Sequence, residues 1–208
     1  IITLIASYGL AMLYKQTKPQ IEKIKLQKIN DALMVVLPDA GDIVTITKKV
    51  PVIDPKGVEV AQNEIVEYYI GYKDDSHTEV VGYAVKASKA GYEAKIETIV
   101  GLDKQGIIKK IKIIDQKETP GLGARCTEDQ PVNPDNKKWT TEQFIGKTKA
   151  DMKVDKDGGE IVSITGATIT SRVIANSIKE ALEEFLPKVS QPAETDSVET
   201  KANEERGE

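Results

Sequence analysis

The chain is poor in the residues that build disulfides, metal centres and catalytic triads. Among its 208 residues stand one cysteine, Cys126, and one histidine, His77. A lone cysteine excludes an intramolecular disulfide and any multi-cysteine metal site. One imidazole, set among Asp74, Asp75 and Ser76, supports neither a metal site nor a triad. Charge of one sign is lacking as well. The formal net charge is −4, and residues 188–208 supply −3 of it through six acids against Lys188, Lys201 and Arg206. The remainder is close to neutral, which argues against a nucleic-acid surface. No nucleotide-binding glycine-rich loop follows a strand, so NADH is not expected to bind here. Long apolar runs are missing too. The uncharged stretch from Ile1 to Tyr14 would rise only about 21 Å as a helix, against a hydrocarbon core of about 30 Å. No small-residue cleavage pattern precedes Lys15, and the stretch reads as a membrane span truncated at its start, with Tyr14 and Lys15 at the interface.

What is present reads as a single domain. Pro19 suits a first helical position, and Ile21, Ile24, Ile29, Leu33, Val36 and Leu37 form an apolar stripe ended by Pro38-Asp39; the alternative is a helix that continues the membrane span with a kink. Val44 to Val50, Glu67 to Lys73 and Glu79 to Ala87 read as strands, with a loop from Pro51 to Gly57. Glu93 to Leu102 and Ile107 to Ile114 flank Asp103-Lys104-Gln105-Gly106 as a hairpin, with Ile107, Ile111 and Ile113 on its buried face. Residues 116–138 lack periodicity, and so long a loop in a compact domain is usually functional. Thr140 to Phe144 begins a short helix, Lys153 to Gly159 is a charged turn, and Glu160 to Ile164 is a last strand. The closing helix, Thr170 to Leu186, carries Ile174, Ile178, Ala181, Leu182 and Phe185 on one face and is stopped by Pro187. The expected fold is α+β: a twisted, largely antiparallel sheet with flanking helices, preceded by a single N-terminal transmembrane helix. The segments are an anchor at 1–18, a domain at 19–187 and a disordered acidic tail at 188–208.

Two motifs carry chemistry. Residues 163–171 read Ser-Ile-Thr-Gly-Ala-Thr-Ile-Thr-Ser and open onto the closing helix. A small-residue turn at a helix start bares backbone N–H groups in the positive field of the helix dipole, a ready cradle for phosphate. Thr165, Thr168, Thr170 and Ser171 gather hydroxyls there, and Gly166-Ala167 lets the chain turn tightly in front of Thr168. Taken alone, Thr168 is equally a helix-capping hydroxyl, but Thr170 and Ser171 already offer caps and leave it spare. The second motif is Glu118-Thr119-Pro120-Gly121-Leu122-Gly123, whose Pro-Gly favours a type II turn. Cys126 beside it and Trp139 further on read as core residues. A solvated side chain is the default for Lys147.

With Gly91-Tyr92, Trp139 and Phe144, these motifs resemble the FMN-binding domain family. That family occurs in subunits of ion-pumping Rnf-type ferredoxin:NAD oxidoreductases and of sodium-pumping NADH:quinone oxidoreductases. The resemblance implies FMN held as a phosphoester on Thr168, the last threonine of Thr165-Gly166-Ala167-Thr168. It also implies that Glu118, Thr119, Pro120, Gly121, Leu122 and Gly123 form a loop against the isoalloxazine. The family's frequent Asp about six residues before the threonine is replaced here by Val162, with Glu160 nearby. Implied partners are other membrane subunits of an Rnf-type complex, the membrane, and a separate flavin transferase that uses FAD and a divalent metal. No catalytic or metal-binding residue is expected. Lys15, Lys18, Lys23, Lys25 and Lys28 after the span point the domain to the cytoplasm by the positive-inside rule; the resemblance points it to the extracytoplasmic side, and the resemblance is followed. The rival complex is the quinone-linked pump. Rivals in function are a non-redox membrane-anchored assembly or sensor domain, and a free-standing flavoprotein.

Overall fold

The computed structural model describes residues 2–53, 59–128 and 139–190. Helix α1 (Ile2–Val36) is continuous: Pro19 lies inside it, so the second segment continues the first rather than starting a new helix, the alternative the sequence left open. The missing N–H falls on an exposed stretch, where water can satisfy the freed carbonyl. One turn earlier, the Thr17 hydroxyl donates to the carbonyls of Leu13 (2.9 Å) and Tyr14 (3.3 Å). Tyr8, Leu10, Met12, Leu13 and Tyr14 are exposed along this half. Among the described residues no helix is long and apolar enough to cross a membrane.

Strands β1 (Asp42–Ile53), β2 (Glu59–Tyr72), β3 (Val80–Ala90), β4 (Lys95–Leu102) and β5 (Ile108–Asp115) form one five-stranded antiparallel meander in chain order. The loop expected from Pro51 is instead strand: Pro51 pairs opposite Gln62 within β1. β1 is an edge strand, where a proline lacking its N–H is tolerated. For the same reason β2 begins well before Glu67. The expected turn at Asp54 to Gly57 lies outside the described residues, as does the tail beyond Ser190. The Asp103 hairpin forms as expected, its carboxylate accepting from the N–H groups of Gln105 (2.9 Å) and Ile107 (2.8 Å). A register shift between Gly101 and Leu102 sets Ile108, not Ile107, into the core beside Ile111 and Ile113.

Alternation along the strands gives the sheet two apolar faces. Tyr69, Ala84 and Ile99 meet Ala32, Leu33, Val36 and Leu37 at the end of α1. Gly101 permits this approach, since a Cβ there would stand 2.4 Å from the Val36 carbonyl oxygen. The other face, with Val85, Ala87, Ile96, Val100 and Leu102, packs against α2 (Thr168–Ser190) through Ile174, Ala175, Ile178, Leu182 and Phe185. Pro187 does not stop α2, which continues to Ser190. Leu186 and Val189 pack on the core, and the Lys188 amino group bridges Glu67 (2.5 Å) and Glu184 (3.2 Å), holding the last turn against the proline's cost. The strand expected at Glu160 to Ile164 is also absent. Only a parallel bridge joins Val154 to Ile161, because side chains rather than a neighbouring strand take up the following backbone groups.

Candidate functional site

The turn from Ser163 to Ala167 is built by buried brackets. The Ile164 N–H donates to Ser171 Oγ (2.9 Å), and that hydroxyl donates to the Ala167 carbonyl (3.2 Å). Gln143 holds Val162 on both sides, accepting from its N–H (2.7 Å) and donating to its carbonyl (3.5 Å). Asp155 Oδ1 accepts from the N–H (3.1 Å) and hydroxyl (2.5 Å) of Ser163. The Ser163 hydroxyl is the main reason the Asp155 carboxyl lies below its usual range. At the crest Gly166 takes φ +80°, a left-handed conformation that favours glycine. Ala167 N–H closes onto the Ile164 carbonyl (2.9 Å), and Ser171 N–H makes the first helical bond to the Ala167 carbonyl (3.2 Å).

Helix α2 thus starts at Thr168, two residues earlier than its apolar stripe indicates. Three consecutive side chains tie this start to three different segments. Thr170 Oγ1 donates to Glu118 Oε2 (2.6 Å), Ser171 binds the turn as described, and Arg172 forms a two-pronged pair with Asp157 (2.6 and 2.7 Å). Thr168 is left spare, though not because Thr170 and Ser171 cap the helix. Its hydroxyl and its N–H, with the N–H groups of Ile169 and Thr170, find no hydrogen-bond partner among the described residues. Unpaired N–H groups at a helix start favour an anion. Thr170 and Ser171, expected as caps, are engaged elsewhere, one donating to Glu118 and the other serving the turn.

Thr168, Thr165 and Gly166 open on a cleft of about 970 Å³ whose walls include Thr140, Gln143, Lys147, Asp155 and Lys156. Lys147 is not a fully solvated lysine: its side chain is 19% exposed and pairs with Glu160 (2.6 Å). Glu142 and Glu160 also line the cleft, so three carboxylates stand against the two lysines. What suits a phosphorylated ligand is the spare hydroxyl, the unpaired N–H groups and a volume at the upper end of ordinary ligand pockets. Ala167 sits behind this surface, buried.

The second motif meets the turn but does not wall the cleft. Leu122 Cδ2 lies 3.1 Å from where a Cβ on Gly166 would stand, so the two motifs touch there. Glu118 is 5% exposed and fully engaged: besides Thr170 it accepts from the N–H groups of Tyr92 (3.3 Å), Glu93 (3.1 Å) and Ala94 (3.4 Å). Burial pushes its carboxyl up, but the Thr170 hydroxyl and the three N–H groups outweigh burial and hold it below the usual range. Thr119 donates to Glu93 (2.9 Å). Pro120 and Gly121 form the exposed tip, with Gly121 at φ +74°, and Gly123 is buried against Glu118. Trp139 is a core residue, edge-on to Phe144 and donating its indole N–H to the Cys126 carbonyl (3.1 Å). Gln143, Asp155 and Lys156 went unread in the sequence. Each stands in a polar stretch, and only the folded chain shows that Gln143 and Asp155 reach the backbone of Val162 and Ser163 and that Lys156 lines the cleft.

A model of the FMN-binding domain family matches residues 91–183. The G subunit of the Na(+)-translocating ferredoxin:NAD(+) oxidoreductase complex of Acetobacterium woodii is 32% identical over 89% of this chain and 87% of its own. The G subunit of the ion-translocating oxidoreductase complex of Methanosarcina acetivorans is 29% identical over 88% of each. The crystal structure of the C subunit of the Na(+)-translocating NADH-quinone reductase from Parabacteroides distasonis superposes with a TM-score of 0.53. It is 16% identical and covers 83% of this chain and 97% of that one.

Proposed function

The chain belongs to the FMN-binding domain family in the form found in G subunits of ion-translocating oxidoreductases, and on that premise we propose that it is a membrane-anchored electron-transfer subunit carrying FMN on Thr168. It would relay electrons among the membrane subunits of an Rnf-type ferredoxin:NAD oxidoreductase, with no catalysis of its own. One observation carries the assignment of the site: the Thr168 hydroxyl, at the start of α2, has no hydrogen-bond partner among the described residues and opens on the cleft. The flavin supplies the redox chemistry, and the protein supplies tether, shielding and tuning.

Each part of the cleft has a task in this reading. The N–H groups of the first turn of α2 face the phosphodiester, whose remaining charge is stabilised by about 0.3–1 kcal/mol there. Lys147 and Lys156 stand in the wall beside Glu142, Asp155 and Glu160, so the N–H groups rather than net side-chain charge favour the anion. Thr165, Gly166 and Ala167 shape the turn, and the loop from Glu118 to Gly123 supports it through Leu122. Covalent attachment answers a retention problem. Micromolar affinity corresponds to only about 8 kcal/mol, and outside the cytoplasm a released FMN would not be replaced. A tether makes rebinding intramolecular. The exposed apolar residues of the first half of α1 support an anchor at 1–18; the extracytoplasmic side for the domain follows from the family resemblance alone.

The test is the full chain produced with a flavin transferase and run on a denaturing gel. A fluorescent band and an intact mass raised by one FMN phosphoester are expected, and the Thr168→Val chain should fold but stay dark. A dark band from the unaltered chain would favour a non-redox assembly or sensor domain. Covalent flavin retained on Thr168→Val would move the attachment to another hydroxyl. Copurifying subunits then distinguish the ferredoxin-linked from the quinone-linked complex.

A further inference from the structure

Among the described residues, Glu118 is the one buried carboxylate that reaches both the second motif and the helix bearing Thr168. It sits at the start of the loop that sets Leu122 against Gly166, and it accepts the Thr170 hydroxyl at 2.6 Å. Thr170 lies two residues beyond Thr168 in the same helical turn, so this bond fixes the rotation and axial position of that turn. The carboxylate cannot drift, because three N–H groups of the Gly91 turn hold it. The surrounding chain leaves it room on two sides. A Cβ on Gly91 would stand 2.4 Å from Glu118 Oε1, and one on Gly123 would stand 2.6 Å from Thr170 Oγ1 and 2.9 Å from Glu118 Oε2. Neither glycine has a positive φ. What they provide is space around this one hydrogen bond.

We infer that Glu118 and Thr170 are positioning residues for the acceptor Thr168, aiming its hydroxyl for flavin transfer without touching the reacting atoms. The inference rests on the reading of Thr168 as the flavin-bearing residue. The transfer joins the Thr168 oxygen to the FMN-side phosphorus of FAD, breaks the pyrophosphate P–O bond and releases AMP, while a base of the transferase takes the hydroxyl proton. Such a displacement needs the oxygen aligned with the breaking bond. A misplacement of about 1 Å can cost roughly 100-fold in rate.

The test follows the initial rate of flavin incorporation into the full chain, using purified flavin transferase, FAD and Mg²⁺. Thr170→Val keeps the side-chain volume and removes the donor; its kcat should fall about ten- to a hundred-fold, with KM for the protein little changed. Thr170→Ser restores the hydroxyl and should recover most of the rate. A loss of folded fraction alone would instead follow the thermal unfolding midpoint. Gly123→Ala supplies an independent variant, because the new Cβ crowds the Thr170 hydroxyl and the Glu118 carboxylate apart while keeping both side chains chemically unchanged, and the same fall is expected. Incorporation into Thr170→Val or Gly123→Ala at the unaltered rate would overturn the inference and leave the flavin reading intact. No incorporation into the unaltered chain would overturn the flavin reading, and this inference with it.

Discussion

Leu122 rests on Gly166: its Cδ2 atom lies 3.1 Å from the position a Cβ on that glycine would occupy. This contact joins motifs more than forty residues apart in the chain, and it occurs at a residue with φ +80°. Gly166→Ala therefore meets two penalties, a left-handed backbone and a crowded neighbour. A loss of roughly 1–3 kcal/mol is expected in urea unfolding. Gly121→Ala is the control. Gly121 has φ +74° but nothing within 4 Å of a Cβ, so it reports the backbone penalty alone, about 1–2 kcal/mol. Equal losses in the two variants would show that the Leu122 contact contributes nothing.

The carboxyl of Glu118 is held below its usual range, chiefly by the Thr170 hydroxyl and backbone N–H groups acting against burial. A depressed folded-state value contributes stability that is complete above the unfolded pKa of about 4.3. That contribution is lost as pH falls through the lower folded value. Comparison with Glu118→Gln isolates it from Asp151, Asp155 and Asp157, whose carboxyls are also lowered. At neutral pH the glutamine variant should be less stable by roughly 1.5–3 kcal/mol, the range for hydrogen bonds to a charged group. The gap should narrow as the pH drops below about 4.3. A gap independent of pH would mean that the charge on Glu118 contributes nothing.

Much of this fold is legible in the sequence, and the failures share a cause. Ile174, Ile178, Leu182 and Phe185 mark α2 because helix burial repeats along one face, and Asp103 to Gly106 marks a hairpin because its turn chemistry is local. Proline misleads twice. Pro187 lies inside a helix and Pro51 inside a strand, because an ion pair or an edge position offsets the lost N–H. At the site, the turn before Thr168 is legible from Gly166-Ala167, because its small residues are local. Gln143 and Asp155 are not, since their value comes from backbone 19 and 8 residues away. Pro187 itself gives a test. Replacing it with alanine should stabilise the chain, by up to about 3 kcal/mol if the helix now carries the full cost of an interior proline. An unchanged or lower thermal midpoint would show that the proline is already accommodated.

Cys126 tests the packing beneath the second motif. Its thiol is completely buried, and burial first, then the nearby Glu118 charge, pushes its pKa up to about 12. The thiolate is the reacting form, and an ordinary cysteine has a pKa of about 8.5. In the folded protein at pH 8 this thiol should resist a disulfide exchange reagent, both because it is covered and because almost none of it is ionised. In denaturant it should react at the rate of a free cysteine. The native rate then reports how often the segment around Gly123–Thr127 opens. Glu118→Gln removes the charge that disfavours the thiolate but also weakens the bracket over it. If opening limits the reaction, that variant should react faster in proportion to its lost stability. If thiolate formation within the closed state limits it, the rate should instead rise with pH to the same degree in both proteins. Rapid labelling of the unaltered chain under native conditions would show that Cys126 is not sealed beneath the loop.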